Sequence, residues 1–185
     1  KRQEQKISRR ISASFSGEFM QSDGIYKYHY GRKYPNGQVA NDTIAKRQDS
    51  DIKAKRFETS VNGTLNNGSW NVRGYGYISN RGMPASIVNN RFGARGARIS
   101  DENYFVQAHV RKKVFPKFET QLKAKFAYDY TRFLDTIKSE YLKPSDNVYI
   151  QREVYVSSSN LYSINSNWDV SLSGDFQYNN LDAEG

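Results

Sequence analysis

Apolar and polar residues alternate one by one along much of this chain. Between residues 11 and 19, Ile11, Ala13, Phe15, Gly17 and Phe19 fall on one side, and Ser12, Ser14, Ser16 and Glu18 on the other. From 118 to 130 the apolar side is Phe118, Leu122, Ala124, Phe126, Tyr128 and Tyr130, with Thr120, and it is opposed by Glu119, Gln121, Lys123, Lys125, Ala127 and Asp129. From 168 to 178, Trp168, Val170, Leu172, Gly174, Phe176 and Tyr178 oppose Asp169, Ser171, Ser173, Asp175 and Gln177. A period of two is a strand signal, because a helix of period 3.6 would scatter these sets around its circumference. Less regular runs at 25–32, 52–64, 69–79, 102–112 and 148–161 complete about eight predicted strands. Many have ten residues or more, so at about 3.3 Å per residue they are long enough to cross a tilted hydrocarbon layer.

The links between these runs alternate in length. Short ones fall at Gln21-Ser22-Asp23-Gly24, Leu65-Asn66-Asn67-Gly68, Lys113-Val114-Phe115-Pro116 and Ile164-Asn165-Ser166-Asn167, each with turn-forming residues. Long ones lie at 33–51, 80–101 and 131–147. Outer-membrane barrels sort their connections in this way, with short turns on the periplasmic side and long loops outside. Tyr128 and Tyr130 at one strand end, and Trp70 and Trp168 beside short turns, occupy the positions of interfacial aromatic girdles. The expected fold is therefore all-β: an antiparallel up-and-down meander belonging to a transmembrane β-barrel. With the apolar set facing lipid, the Lys, Glu, Asp, Gln and Ser set would line a wet interior, which implies a wide barrel.

Composition changes this picture little. The mean hydropathy is low, yet a strand apolar at every second position averages to neutral in any hydropathy window. There are 14 Tyr and 10 Phe against 4 Pro and 2 Met, a composition suited to strands and turns. No cysteine is present, which excludes disulfides, Cys-ligated zinc and thiol nucleophiles. The formal charge of +9 could mark a nucleic-acid binder, but the basic residues are spread along the chain at alternate strand positions, so they read as a solvated face and no nucleic-acid partner is expected. The chain opens at Lys1 without a charged-then-apolar leader, and residues 1–185 are expected to be an internal barrel segment of a longer protein.

No enzyme site is expected. Asp129, Asp169 and Asp175 alternate along strands without convergence, Ser157-Ser158-Ser159 lacks a nucleophile-elbow context, and Gly93-Ala94-Arg95-Gly96 lacks the strand and helix of a nucleotide loop. His29 and His109 are too far apart to suggest a metal, and no cofactor is implied. Asp42, Asp49, Asp51, Asp135 and Asp146 lie in or beside long links, where they read first as solvated carboxylates and second as calcium ligands. Asn62-Gly63-Thr64 and Asn67-Gly68-Ser69 match glycosylation acceptors but read as hairpin residues. The partly apolar stretch Asn80-Arg81-Gly82-Met83-Pro84-Ala85-Ser86-Ile87-Val88 is the exception. It is either a loop packed on its neighbours or part of a substrate-facing mouth, with Arg81, Met83 and Pro84 as the candidate ligand-binding residues.

At this stretch the chain resembles a known family. Tyr77-Ile78-Ser79-Asn80-Arg81-Gly82-Met83-Pro84, Phe105-Val106-Gln107 and Ala124-Lys125-Phe126-Ala127-Tyr128-Asp129-Tyr130 are similar to barrel segments of TonB-dependent receptors from Bacteroidetes, as is Trp168-Asp169-Val170-Ser171-Leu172-Ser173 through Phe176-Gln177-Tyr178-Asn179. The nearest likeness is to the cobalamin-receptor (BtuB-like) branch. The resemblance implies a barrel of about 22 strands with an N-terminal plug in its lumen. It also implies an outer-membrane location, import energised by the TonB complex through an N-terminal segment outside these residues, and a surface lipoprotein partner. The implied ligand is cobalamin or another large amphipathic nutrient, with siderophore, haem and glycan as the other candidates. Two further readings stand beside it: a self-contained eight-stranded barrel with a structural or adhesive role, and a soluble basic aromatic sheet that binds nucleic acid.

Overall fold

The computed structural model describes residues 2–33, 37–47, 49–84, 96–136 and 143–185. The strands are β1 (Arg2–Lys6), β2 (Ile11–Ser22), β3 (Lys27–Lys33), β4 (Val39–Lys46), β5 (Ile52–Leu65), β6 (Gly68–Met83), β7 (Ala97–Phe115), β8 (Phe118–Asp135), β9 (Ser145–Ser163) and β10 (Asp169–Glu184). Eight form one antiparallel meander in the order β1-β2-β5-β6-β7-β8-β9-β10, and β3 and β4 pair apart from it. The expected all-β antiparallel meander of eight strands is what the chain adopts, although its membership differs from the sequence reading.

The difference arises at residues 21–24. These were expected to reverse the chain and send 25–32 into the main sheet. Turn chemistry is present there: Ser22 Oγ accepts from Gly24 N (3.1 Å), Asp23 Oδ1 accepts from Ile25 N (3.1 Å), and Gly24 has φ +62°. It produces a jog and not a reversal. The pairing Ser22↔Ile52 resumes at Lys27↔Lys46, with residues 23–26 on one side facing 47–51 on the other. The extra residue makes a bulged joint, spanned by a hydrogen bond from Arg47 N to Tyr26 O (2.8 Å) and occupied by Asp49 at φ 56°. β4 therefore lies within what had read as a long loop, and β2–β5 continues outward as the β3–β4 ribbon. The eighth strand of the sheet is instead β1, Arg-Gln-Glu-Gln-Lys, a wholly polar run with no alternation to betray it, held by backbone pairing to β2.

Strands also run further than their apolar cores. β6 continues through Asn80-Arg81-Gly82-Met83, so these residues belong to a strand where a loop had been expected. The turn expected at 113–116 shifts to Pro116-Lys117, with a register slip beside Val114. The turn between β5 and β6 is Asn66-Asn67, where Asn67 takes the left-handed conformation (φ 61°) that Asn tolerates better than most side chains. Four tight connections (7–10, 66–67, 116–117 and 164–168) thus lie at one end of the sheet, and the three longer ones (23–51, 84–96 and 136–144) at the other.

Register fixes two faces. One carries cross-strand rows such as Phe15–Thr59–Gly74–Val106–Phe126–Val154–Tyr178 and Ala13–Val61–Val72–Ala108–Ala124–Val156–Phe176. The opposite face carries Ser14–Ser60–Arg73–Gln107–Lys125–Tyr155–Gln177. Two glycines on the apolar face sit beneath aromatic rings directly across the ladder: a Cβ on Gly63 would lie 2.2 Å from the Trp70 indole, and one on Gly76 would lie 2.1 Å from the Phe57 ring. The rings cover the bare backbone and lock register there.

Among the described residues no large apolar side chain is buried. The accessible surface is 13703 Å², whereas a compact monomer of this mass would show about 9,000 Å². Among the described residues of the main sheet, the buried ones bearing a side chain are Ala54, Ser79 and Ala127, and all three stand on the polar face. On β8, Ala124 of the apolar face is exposed while Ala127 of the polar face is 6% exposed. At these positions the polar face is the more closely packed of the two, while the large apolar side chains of the other face stand exposed.

Candidate functional site

The polar face is the richest chemical surface of the sheet. Its most fully engaged point is Asp101 on β7, 16% exposed in its side chain, which draws donors from the strands on both sides of it. Ser79 on β6 donates to Asp101 Oδ2 (3.3 Å), Thr131 on β8 donates to Oδ1 (3.1 Å), and Arg81 on β6 forms an ion pair with it (3.2 Å). The pairings Ser79↔Asp101↔Thr131 place the three in one row, so register alone assembles the group. Ser79 is 3% exposed, and among the described residues no buried side-chain polar atom lacks a partner. That satisfaction offsets the cost of partly covering a polar group.

Toward the tight turns the polar face continues as a lattice of cross-strand pairs. Asn103 donates to Asp129 (2.7 Å), Lys125 pairs with Glu153 (3.2 Å), and Tyr155 donates to Asp175 (2.8 Å). Arg73 pairs with Glu58 (3.4 Å), and Arg56 with Glu18 (2.5 Å). Among them Tyr75 and Phe105 stack face to face across the β6–β7 ladder, with centroids 5.0 Å apart and planes 14° from parallel. Beside the stack lies a polar hollow of about 280 Å³ lined by Ser14, Ser60, Glu58, Arg73 and Gln107. An aromatic platform flanked by charged and amide groups can hold a ligand that is apolar on one side and hydrogen-bonding on the other.

The longer connections are tied down on the apolar face, beyond the last apolar row. Arg98 makes a bidentate contact with Asp51 (3.1 and 2.8 Å) and donates through Nε to Asn80 (2.9 Å), which in turn donates to Ser100 (2.8 Å). Gly82 N donates to Asp51 O (2.8 Å), and Gly96 N to Asp49 Oδ2 (3.1 Å). The Arg98 guanidinium, through its hydrogen bonds, holds the Asp51 carboxyl below the usual carboxylate range. Arg132–Asp146 (2.6 Å) and Arg152–Asp182 (2.6 Å) make the same kind of clamp at β8–β9 and β9–β10.

Of the residues singled out from sequence, Arg81 and Met83 prove to be strand residues of the polar face, with Arg81 engaged to Asp101 and Met83 40% exposed; Pro84 follows directly, partly covered. Residues 85–88 and 93–95 and the Asp42 side chain lie outside the described residues. Asp51 and Asp146 are paired with arginines, and Asp49 accepts from a backbone amide. Among the described residues no three His, Asp or Glu side chains converge as metal ligands. His109 contacts Gln121 (2.8 Å). Sequence reasoning missed the Ser79–Asp101–Thr131 group and the Tyr75–Phe105 stack. Both join β6 to β7, whose connection is the long 84–96 link and not a short turn, so no local signal sets their register. No protein-family model matches this chain, and no curated protein matches it either.

Proposed function

We propose that this chain is a segment of the wall of an outer-membrane active-transport receptor, one that captures a scarce, large amphipathic nutrient, cobalamin first, and imports it with energy from TonB. The observation that carries the reading is the inverted polarity of the sheet: the apolar rows stand exposed on one face, and the charged pairs lie on the face where side chains are buried. In water such a sheet would expose Phe15, Val106, Phe126, Val156 and Phe176, each at least 43% accessible, with nothing to bury them. In a bilayer the same face meets hydrocarbon and the polar side lines a wet lumen. Strand lengths of 14–19 residues over β5–β10 and the sorting of connections by end support the same reading. So do the free edges, since β1 and β10 do not pair with each other and leave the ladder open to further strands.

The Tyr75–Phe105 platform, the hollow beside it and the Arg81–Asp101 group would then lie on the path of the substrate, with Met83 and Pro84 at its outer rim. The TonB complex, a plug and a surface lipoprotein belong to the whole receptor. Cobalamin binding by the full-length protein in detergent, measured at low and high salt, tests the ligand. Tight, salt-insensitive binding supports it, and absence of binding turns the substrate toward a siderophore, haem or glycan. The nucleic-acid reading requires binding that falls steeply with salt. It is disfavoured because many cations of the polar face are matched by acids across the ladder. The self-contained eight-stranded barrel would need β1 paired with β10, and the described residues of β1 pair with β2 alone.

A further inference from the structure

The two ends of the sheet differ in charge. Residues 6–10, 64–69, 111–119 and 163–169, which build the tight-turn end, carry seven Lys or Arg side chains against Glu119 and Asp169. That net of +5 is more than half of the chain's +9, held in under a sixth of its length. The turns form a continuous rim, because each is hydrogen-bonded to its neighbour. Thr64 N donates to Arg10 O (2.9 Å), Lys113 N to Asn67 O (2.8 Å), and Ser163 N to Lys117 O (2.8 Å). Arg111 is spoken for by Glu119 (2.6 Å), and Lys117 Nζ donates to the Ile164 carbonyl (2.9 Å). Arg9, Arg10 and Lys112 make no ion pair with any described residue. Lys112 stands on the apolar face, one step beyond the row of Trp70, Val110 and Leu122.

We propose that this rim binds the headgroups of anionic phospholipid, in the leaflet on the tight-turn side. The inference rests on the membrane-wall reading and extends it to the lipid chemistry of one leaflet. Lys112 at the edge of the apolar band, with Arg9 and Arg10 in the turn along the same rim, matches a surface in which phosphates lie in a plane directly above hydrocarbon. A nucleic acid would satisfy the charges but leave Val110 and Leu122 uncovered. Each cation within a screening length of an anionic surface favours it about fivefold.

Both tryptophans, Trp70 and Trp168, lie beside this rim, so they report on the lipid next to it. The full 185-residue chain is refolded into vesicles containing brominated phosphatidylglycerol or brominated phosphatidylcholine, and tryptophan quenching is compared. The expected result is quenching by both lipids, stronger by at least about threefold in relative affinity for phosphatidylglycerol. The preference should be lost in the combined Arg9→Ser, Arg10→Ser, Lys112→Ser variant, and for the unmodified chain in about 0.5 M NaCl. The salt arm needs no refolding of a variant. Equal quenching by the two lipids overturns the headgroup inference while leaving the membrane wall intact. Quenching by neither overturns both.

Discussion

Val106 sits in the middle of the apolar face of β7, between Gly74 and Phe126 across the ladder, and its side chain is 54% exposed. In water, replacing so accessible a residue by lysine would change stability by no more than about 0.5 kcal/mol, because the ammonium stays hydrated and no cavity is left. Neither cross-strand neighbour is charged, so there is no repulsion to add. Against hydrocarbon the same change would cost about 2–4 kcal/mol near the midplane of the band. The gap between these figures exceeds the error of an equilibrium denaturation. The control is Gln151→Lys on the polar face, exposed and opposite Asp129. There the new charge gains a partner, and the expected change is within about 0.5 kcal/mol in either environment. Reversible unfolding in guanidinium from lipid vesicles, with Trp70 and Trp168 as reporters, gives both values. If Val106→Lys costs no more than Gln151→Lys, the apolar face does not contact lipid and the argument from inverted polarity fails.

The other predictions concern what fixes the ladder and its outer joint. Gly82→Ala would place a Cβ 2.4 Å from the Asp49 carbonyl oxygen and 2.8 Å from Asp51 Oδ1. Because the first obstacle is backbone, a loss of about 1–3 kcal/mol is expected, with faster amide exchange at Gly82 and Arg47; Gly174→Ala, with no atom within 4 Å, should be neutral or mildly stabilising. Gly63→Ala should lift the Trp70 ring from the ladder, seen as a changed Trp70 emission maximum, and an unchanged spectrum would refute the stacked geometry. The Asp51–Arg98 clamp should depend on pH in one direction. Its carboxyl titrates lower in the folded chain than in the unfolded chain, so the stabilisation is complete above the unfolded carboxylate pKa of about 3.9 and disappears as pH falls through the folded value. Amide exchange at Gly82 should therefore accelerate only in strong acid, and Asp51→Asn should remove that dependence.

Alternation of side chains along the chain was enough to give the fold class, the apolar rows of β2, β8 and β10, and the two-faced character of the sheet. These follow from local geometry, because successive side chains of any strand point to opposite sides whatever its neighbours do. The turn residues at Asn66-Asn67 gave the β5–β6 hairpin for the same reason. Three features needed the folded chain. The Ser22-Asp23-Gly24 sequence fits a reversal or a jog equally well, and the choice depends on the five residues 47–51 that face it across the joint. β1 has no pattern of its own and exists because β2 offers an open row of backbone groups. The Ser79–Asp101–Thr131 group and the Tyr75–Phe105 stack join residues up to 52 positions apart, from Ser79 to Thr131, and depend on the β6–β7 register, which no short turn fixes. Which face is the more closely packed was beyond the alternation as well. Period two says that the faces differ, but crowding depends on twist and neighbours over many strands, and only the folded chain shows Ala54, Ser79 and Ala127 buried on the polar side.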